Sequence, residues 1–434
     1  MRMIDLIEKK RNGFANSEDE LYFIINGALN GDIPDYQLSA WLMAVCFSGM
    51  TKNETVFLTR AMIASGKTLN LSAVGAPTVD KHSTGGIADT VTLIAVPIAA
   101  ASGAFVAKIS GHALGYTGGT IDKLESISGY SPDIDLTRFI NIIKRNGMCI
   151  VGQSDDLVPA DKLIYALRNV TATVESIPLI ASSIMSKKIA MGADAIVLDI
   201  KVGNGAFMKD IESAKKLAQA MLNIGHAFDK KCAAFITDMN EPLGKAVGNG
   251  LELYEAITIL GGKFDLNDRL VRLSLSIAAK MLAIVGIFGQ KDAEAAVLSA
   301  LKSGDGLSNF KRMIDDLGGD TAIFDQPEQL IKVKKRVPLS AKQSGYIFSI
   351  DALNIGRTVG FLGASRTVLT DEIDHDVGLI LNARIGDWVR EGDIIATIYV
   401  NDESKIEPAI RLLENSIDIS DIRPPNRDLI YEVY

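Results

Sequence analysis

The sequence predicts an α/β protein in which an all-helical domain and a mixed-sheet α/β domain face each other across a cleft, followed by a β-rich C-terminal module. Up to about residue 70, apolar residues are spaced three and four apart, as in "EDELYFIINGALNG", which predicts amphipathic helices. From about residue 71, strand-like runs such as "FVAKIS" and "AIVLDIKVG" alternate with helical stretches such as Leu136 to Asn146. That alternation is typical of a parallel or mixed sheet with crossover helices.

The domain boundaries follow the changes of pattern along the 434 residues, a length that exceeds one hydrophobic core. The helical domain takes residues 1–70 and 160–192, because the second stretch interrupts the strands with a long helical pattern. The α/β domain takes residues 71–159 and 193–331, and residues 332–434 form the C-terminal module. Because the first two domains are discontinuous, we expect a cleft between them.

The C-terminal module shows short alternating strands joined by "GD" turns in "GLILNARIGDWVREGDIIATIYV". This pattern resembles the barrel-sandwich hairpins of biotinyl and lipoyl carriers, so we predict a barrel-sandwich-like α+β module. A carrier presents a modifiable lysine in its tight turn, and no Met-Lys-Met-like triplet occurs here. We therefore expect a structural module. The alternative carrier role would appear as a lysine modification in the intact mass.

The composition favours a small substrate and argues against nucleic-acid or membrane partners. A hydrophobic share of 47% with 23% charged residues is ordinary for a globular protein. The net charge of -8 leaves no basic excess to neutralise phosphates. The uncharged run from Val91 to Ala107 contains Pro97 and Gly103, and it predicts a buried helix followed by a strand. Three widely spaced cysteines suit a reducing cytosol, so we expect a cytoplasmic protein.

The first stretch with candidate chemistry is "DKHSTGG", which begins at Asp80. Its glycines, Gly85 and Gly86, let successive backbone N–H groups point into one concavity. Lys81 adds a positive charge, and the hydroxyl of Ser83 adds a donor. The stretch therefore predicts a binding site for an oxyanion. The alternative is a glycine-rich loop that only closes a strand.

A second glycine-rich loop, "AKISGHALGYTGGTIDKLES", strengthens this prediction. It places Lys108, Ser110, Thr117 and Thr120 among four glycines. Two such loops at the carboxyl ends of neighbouring strands face the same crevice of an open sheet. We therefore expect both loops to bind one anion.

A third polar set lies in the second helical stretch, where Arg168, Ser183 and Lys187 are surrounded by apolar residues. Ser183 and Lys187 are four residues apart, and hence on one face of a helix. Donors of this kind opposite an anion site suit a substrate with an anionic end and a planar amide end. The alternative is a solvated helix edge.

These motifs resemble a known family. "DKHSTGG", "TGGTIDKLES", "PADKLIYALRNVTATVESIPLIASSIMSKK" and "AIVLDIKVGNGAFM" are similar to the thymidine and pyrimidine-nucleoside phosphorylases, and the resemblance covers essentially the whole chain. It implies reversible phosphorolysis of uridine, thymidine and deoxyuridine to the free base and α-D-ribose or deoxyribose 1-phosphate. It further implies a homodimer, inorganic phosphate as co-substrate, a structural potassium ion and no organic cofactor.

The resemblance also assigns roles to individual residues. The residues that hold phosphate would be Lys81, Ser83, Thr92, Lys108, Ser110 and Thr120. The residues that hold the pyrimidine would be Arg168, Ser183 and Lys187, with Tyr165 and Leu114 packed near the ring. His82 would lie beside the pyrimidine O2, so the catalytic set would be Lys81, His82, Arg168 and Lys187. The alternative for His82 is a hydrogen bond that only supports its loop.

The potassium ligands implied by the resemblance are Thr90, Leu243, Ala246 and Glu255, with the carbonyl of Ala88. The family usually has glycine at position 88, so the alanine keeps the carbonyl in place only if the site does not require positive φ. Lys108 is typical of members that also accept ribonucleosides, because its ammonium can reach a ribose hydroxyl.

The second loop departs from the family. It usually reads close to "SGRGLGHTGG", whereas His112, Ala113 and Tyr116 stand here in place of arginine, glycine and histidine. We expect the loss of a guanidinium and of a loop glycine to alter phosphate affinity or domain closure.

Three other functions stay open at this point. The first is a thymidine phosphorylase restricted to deoxynucleosides. The second is a phosphoribosyltransferase such as anthranilate phosphoribosyltransferase, which would need magnesium and acidic ligands and lacks the match from Arg168 to Lys187. The third is a non-catalytic sensor of nucleoside or phosphate, which product formation would exclude.

Overall fold

A computed structural model of the chain describes residues 1–112, 118–154, 156–366 and 371–434. In chain order the α-helices are α1 Met3–Arg11, α2 Glu18–Asn30, α3 Asp35–Ser48, α4 Lys52–Ala64, α5 Val91–Ala101, α6 Thr120–Leu124, α7 Leu136–Asn146, α8 Pro159–Val170, α9 Ile177–Ala190, α10 Ile211–Ala227, α11 Asn249–Leu260, α12 Arg269–Ile284, α13 Gln290–Ser303, α14 Asp305–Asp316, α15 Ala352–Val359 and α16 Ile406–Glu414. The strands are β1 Thr78–Ser83, β2 Phe105–Ser110, β3 Met148–Gly152, β4 Ala195–Val202, β5 Lys231–Asp238, β6 Ala246–Val247, β7 Lys335–Ser340, β8 Gly345–Ile350, β9 Gly378–Leu381, β10 Trp388–Val389, β11 Ile394–Val400, β12 Ile417–Ser420 and β13 Ile430–Val433.

The helical domain is built from α1 to α4 together with α8 and α9. Ser17 and Glu20 form a capping box at the start of α2, and Thr51 and Glu54 form another at the start of α4. Each hydroxyl accepts a backbone N–H three residues later, which fixes where the helix begins. α8 packs against α2, α3 and α4, and α9 packs against α4. The second helical stretch therefore lies against the first.

The main sheet has the strand order β13-β5-β4-β1-β2-β3, in which β1 to β5 are parallel and β13 is antiparallel. The predicted strand-like runs are β2, β3, β4 and β5, and the predicted helix from Leu136 to Asn146 is α7. The α/β fold class with a mixed sheet is confirmed. The carboxyl ends of β1, β2 and β4 meet at one edge of the sheet, which is where open α/β sheets bind ligands.

β1 differs from the expectation of a glycine-rich turn, because Lys81, His82 and Ser83 continue the strand. Lys81 pairs in register with Val197, and Ser83 pairs with Asp199 of β4. Pairing with β4 holds this polar segment extended, whereas β2 pairs with Thr78 and Val79 at the start of β1. The glycine-rich turn begins only after Ser83, and it leads into α5.

The uncharged run forms the buried helix and strand that the sequence predicts. Each side chain of α5 from Val91 to Ala100 is buried, and the helix packs against α12, α13 and α14. β2 follows after a short turn. Among the described ranges, no helix is both long and apolar enough to cross a bilayer.

The C-terminal module contains two antiparallel sheets, with the strand orders β10-β8-β12 and β6-β9-β11-β7. Its "GD" turns contain Gly386 and Gly392, at φ of 92° and 90°. Two strands are exchanged with the α/β domain. β6 precedes the module in the chain but pairs with β9, and β13 follows the module's sheets but pairs with β5.

Candidate active site

Lys81 lies at the centre of the site, on the face of the sheet that α5 covers. Its side chain is 0% exposed. Its Nζ donates to Thr92 Oγ1 at 3.3 Å and lies 3.8 Å from Asp199 Oδ2. Burial lowers the pKa of Lys81, and the negative charges of Asp89 and Asp199 oppose that shift. Thr92 belongs to the first turn of α5, so an anion beside Lys81 would also meet the positive end of a helix.

Carboxylates and a second buried lysine surround this position. Lys201 Nζ lies 2.7 Å from Asp199 Oδ2 and 3.8 Å from Asp89 Oδ2. The Ser83 hydroxyl donates to Asp89. Burial opposes ionisation of Asp89, but the charges of Lys201 and Lys81 outweigh it and hold the pKa of this carboxyl well below its usual range. Among the described residues, Lys201 therefore has one close and one distant carboxylate, whereas the contacts of the Lys81 ammonium are 3.3 Å or longer.

A second cluster joins the helical domain to the sheet. Lys188 of α9 donates to Asp80 Oδ2 at 2.8 Å and to the carbonyl of Ile109 at 3.0 Å. Lys108 donates to the same carbonyl at 2.9 Å and lies 3.9 Å from Asp80 Oδ1. Burial and the charge of Lys188 lower the pKa of Lys108, and Asp80 opposes the shift. Lys108 therefore lies in a pocket with a surplus of positive charge.

His82 is partly buried between these two clusters. Burial, together with the charges of Lys188, Lys108 and Lys187, lowers the pKa of its imidazole well below the usual value. The ring is therefore neutral near pH 7. A neutral imidazole still donates one N–H, so hydrogen bonding suits this residue better than proton donation from an imidazolium.

The second loop begins at the end of β2, and two of its predicted residues belong to the described part of the chain. Ser110 ends β2 and Thr120 begins α6, and both are partly buried. Leu114, Ala113, Tyr116 and Thr117 lie outside the described residues. Lys123 of α6 donates to the carbonyl of Asp89 at 3.0 Å. This contact joins α6 to the turn that follows β1.

His112, which stands where the family usually has arginine, contacts an acidic side chain. Its Nε2 lies 2.8 Å from Glu125 Oε1. The metal-ligating atoms of His112, Asp122 and Glu125 lie within 4.8 Å of one another. However, Asp122 Oδ1 accepts from the guanidinium of Arg366 and Asp122 Oδ2 accepts from Gly119 N at 2.7 Å. A cation at this position would meet the charge of Arg366, so the cluster fits loop support better than metal binding.

On the helical side, Arg168 is buried in α8 and holds the loop that precedes α9. Its Nε, Nη1 and Nη2 donate to the carbonyls of Thr173, Leu179 and Val174, at 3.1, 3.2 and 2.6 Å. A guanidinium has five N–H groups, so two remain for a ligand. The half-exposed ring of Tyr165 lies 6.0 Å from the guanidinium carbon.

Ser183 and Lys187 share one face of α9, as their spacing predicts. Lys187 Nζ donates to Ser183 Oγ at 3.1 Å and also to the buried carboxylate of Asp161. Asp161 lies in the first turn of α8. The two helices therefore present a lysine, a hydroxyl and a guanidinium in one region.

The residues of the proposed cation site converge around Gly244. A Cβ placed on this glycine would lie 2.4 Å from Glu255 Oε2 and 3.3 Å from the carbonyl of Ala88, so both oxygens border the same space. The carbonyl of Leu243 accepts from Arg384 at 3.3 Å. Burial raises the pKa of Glu255 to about 7. The oxygens of this site are of the kind that bind a hard cation, but the guanidinium of Arg384 donates to the carbonyls of Leu243 and Gly244, and its charge opposes a cation there.

The other two residues of the proposed cation site, Thr90 and Ala246, form hydrogen bonds with glutamates of α11. Thr90 Oγ1 donates to Glu252 Oε2 at 2.9 Å, and Ala246 N donates to Glu255 Oε2 at 3.2 Å. Ala88 adopts φ of 55°, so the positive φ persists without glycine and carries a strain of ~1 kcal/mol. A cavity of about 220 Å³ borders Ala246 and Glu255, and Lys81 does not line it.

Comparison with known proteins identifies the family. Residues 4–66 match the helical bundle domain of a glycosyl transferase family, residues 75–307 match its a/b domain, and residues 346–420 match the pyrimidine nucleoside phosphorylase C-terminal domain. A pyrimidine-nucleoside phosphorylase of Geobacillus stearothermophilus is 48% identical over 434 residues, which covers 100% of this chain and 99% of the relative. The chain belongs to the pyrimidine-nucleoside phosphorylase family. A member from Staphylococcus aureus is 47% identical over 422 residues, with 97% of each chain covered.

A solved structure outside the pyrimidine-nucleoside phosphorylase family shares the fold. Anthranilate phosphoribosyltransferase from Thermus thermophilus aligns with a TM-score of 0.57 at 19% identity, covering 72% of this chain and 99% of that chain. At this identity the similarity concerns architecture alone. The part of the chain left uncovered is 28%, a share that the C-terminal module of 103 residues (332–434) can largely account for.

Several residues of this pyrimidine-nucleoside phosphorylase family member were not predicted from the sequence. They are the partners that fix the lysines, namely Asp80, Asp89, Asp161, Lys188, Asp199 and Lys201. One signal was present, because Asp199 and Lys201 are two apart within the otherwise apolar run "AIVLDIKVG". Charges at alternate positions of a buried strand share one face and require partners there.

Proposed function

We propose that the chain catalyses reversible phosphorolysis of pyrimidine nucleosides to the free base and α-D-ribose 1-phosphate or its 2-deoxy form. The observation that carries the proposal is the wholly buried Lys81, whose nearest carboxylate among the described residues is 3.8 Å away. A buried ammonium in this position is stabilised when an anion such as phosphate binds. The name shared by the relatives supports the same reaction.

Phosphate binds to the sheet side of the site in this proposal. Lys81 supplies the charge, and the hydroxyls of Thr92, Ser110 and Thr120 donate hydrogen bonds. The Ser83 hydroxyl, which donates to Asp89 in the structure, would turn to phosphate when the anion binds. As the glycosidic bond stretches, positive charge builds on the sugar, and the adjacent phosphate stabilises it. A phosphate oxygen then bonds to C1′ on the face opposite the base, so a β-nucleoside yields the α-phosphate.

The base leaves on the helical side. The electron pair of the broken bond passes to the pyrimidine, where Arg168, Ser183 and Lys187 donate to its carbonyls and ring nitrogen. The base anion then takes up the proton that hydrogenphosphate loses on becoming the sugar phosphate, which gives the neutral free base. His82 donates its neutral N–H to O2, and Tyr165 packs near the ring. These donors stabilise negative charge that is larger in the transition state than in the substrate, which is what lowers the barrier.

Lys108 sets the range of sugars in this proposal. Its ammonium has, among residues 1–112, 118–154, 156–366 and 371–434, one short hydrogen bond, to the carbonyl of Ile109, and a longer approach to Asp80. It is therefore available to bind a ribose hydroxyl or phosphate. We expect both ribonucleosides and deoxyribonucleosides to be substrates.

Potassium would be held by the carbonyls of Ala88 and Leu243, the carboxylate of Glu255, and oxygens of Thr90 and Ala246. Its positive charge would favour the ionised form of Glu255. Ala88 lies between the turn after β1 and α5, so a fixed Ala88 carbonyl holds the segment that leads to Thr92.

The active form is proposed to be a homodimer. Tyr36 and Phe47 are 74% and 86% exposed, and they lie eleven residues apart on α3, which places them on one face. Val170, at the end of α8, is 81% exposed. Such an apolar surface is typical of an interface. Phe47→Glu should convert a dimer into a monomer in analytical ultracentrifugation, and a monomeric wild-type protein would contradict the proposal.

A chromatographic assay with uridine, thymidine and deoxyuridine, each with and without phosphate, tests the function. Phosphate-dependent release of uracil and thymine is the expected result. Release of thymine without uracil from uridine would restrict the enzyme to deoxynucleosides. Release of no base from any nucleoside would refute the proposed reaction and favour a binding protein.

A further inference from the structure

The C-terminal module touches the second loop, although its sequence gives it no chemistry of its own. Arg366, in the segment that follows α15, donates to Asp122 Oδ1 of α6. His375 Nδ1 lies 3.3 Å from Ser126 Oγ, two residues beyond α6. The module therefore contacts the helix whose first residue, Thr120, is proposed to bind phosphate.

A further contact holds the glycine pair that precedes this helix. The Asn249 side chain lies against Gly118 so closely that a Cβ on this glycine would lie 1.7 Å from Asn249 Oδ1. The amide of Asn249 donates to the carbonyl of Ala364 at 2.9 Å. Ala364 is two residues from Arg366. The same short segment of the module thus supports both ends of the turn from Gly118 to Asp122.

Asp122 transmits the position of Arg366 to the turn. Its side chain is 0% exposed, and that of Arg366 is 17% exposed. One carboxylate oxygen accepts from Arg366, and the other accepts from the backbone N–H of Gly119 at 2.7 Å. Gly119 directly precedes Thr120. Hydrogen bonds between charged groups in a buried place are strong and directional, so the guanidinium orients the carboxylate and the carboxylate orients the turn.

We infer that Arg366 is a positioning residue through which the C-terminal module sets the affinity of the site for phosphate. The inference rests on the proposed function, because it assumes that the turn at Thr120 binds phosphate. It gives the module a function that requires no modified lysine. His82 and Arg168 are on other elements, so the effect of Arg366 is confined to the phosphate side.

Steady-state kinetics of Arg366→Met, Arg366→Lys and the wild type test this inference. Loss of the charged hydrogen bond should raise KM for phosphate roughly tenfold or more, while KM for the nucleoside changes less than about twofold because the base site is untouched. Arg366→Lys should recover part of the loss, since lysine keeps the charge without the guanidinium geometry. Arg423→Met is the matched control, because Arg423 lies over Tyr346 within the module and should leave both KM values unchanged.

Calorimetric titration with inorganic phosphate alone gives a readout that needs no turnover. The Kd for phosphate should rise in Arg366→Met by a factor similar to that in KM. In the double variant with Asp122→Asn, the further change should be small, because both residues act through one contact. If the wild type releases no base, the proposed function fails, and the titration still measures the role of Arg366.

Three results would overturn the inference. Arg366→Met could show the wild-type Kd and KM for phosphate while remaining folded. It could raise KM for phosphate and nucleoside equally, which indicates a general structural role. Finally, effects of Arg366→Met and Asp122→Asn that add fully would show that Arg366 does not act through Asp122.

Discussion

Replacement of Lys81 by methionine tests the centre of the site, because it removes the charge and keeps the length of the side chain. An ammonium and an oxyanion 4 Å apart attract each other by about 4 kcal/mol at an effective dielectric constant of ~20. That energy corresponds to roughly a thousandfold in rate. Within the part of the chain that the structure describes, Lys81 contacts a hydroxyl at 3.3 Å and a carboxylate at 3.8 Å, so little of its charge is used for folding. We therefore expect kcat/KM to fall ~10³-fold with little loss of stability.

Lys201→Met is the matched control, since Lys201 is equally buried but lies 2.7 Å from Asp199. Removing one partner of a buried ion pair costs about 3–5 kcal/mol, so this variant should unfold at a much lower urea concentration. Initial rates of uracil release and urea unfolding curves measure the two quantities. Wild-type-like kcat/KM in Lys81→Met, or an equal loss of stability in both variants, would refute the assignment of Lys81 to phosphate.

Three further predictions concern the base and cation sites. Because the pKa of His82 is lowered well below its usual value, its ring is neutral near pH 7, and kcat/KM should show no ionisation of this group near pH 6.5. His82→Gln should retain more activity than His82→Ala. An ionisation near pH 6.5 that disappears in His82→Gln would contradict this. The raised pKa of Glu255, about 7, means that its contribution to stability falls as pH rises from about 4.5 to 7. Potassium should therefore raise the unfolding midpoint more at pH 8 than at pH 6, and Glu255→Gln should remove this increment; equal increments in both proteins would exclude Glu255 as a ligand. Arg168→Ala and Lys187→Ala should each lower kcat/KM by ~10² or more, and normal kinetics in both would remove the proposed base site.

Much of the fold could be predicted from local patterns. The strands β2 to β5 are apolar runs, and α7 has the amphipathic spacing and bounds that the sequence indicates. β1 was harder to predict from the sequence, because half of it is the polar segment Lys81–Ser83. Its extended conformation depends on pairing with β4, which lies more than one hundred residues further along the chain. Neither periodicity nor turn chemistry reports such a pairing.

The polar residues of the site were partly predictable, and their partners were not. Short motifs and the family resemblance identified Lys81 and Lys187, but neither Asp199 nor Asp161 stands near them in sequence. Arg168 is the clearest example of a residue whose partners the sequence does not predict. Its three hydrogen bonds to backbone carbonyls give it a structural role beside the proposed binding role. Every residue type has a backbone carbonyl, so such partners cannot be identified from the sequence.

The pairing of β13 with β5 ties the C-terminal end of the chain to the main sheet even if the chain is cleaved before β13. The stretch from 421 to 428 is largely exposed, so a protease has access to it. Cutting there would leave β13 hydrogen bonded beside β5, with Tyr434 N still donating to Ala234 O at 2.8 Å. The short fragment would stay with the body as a non-covalent strand. The chain thus suits production as two complementary pieces that reassemble, with the short piece open to chemical synthesis and labelling.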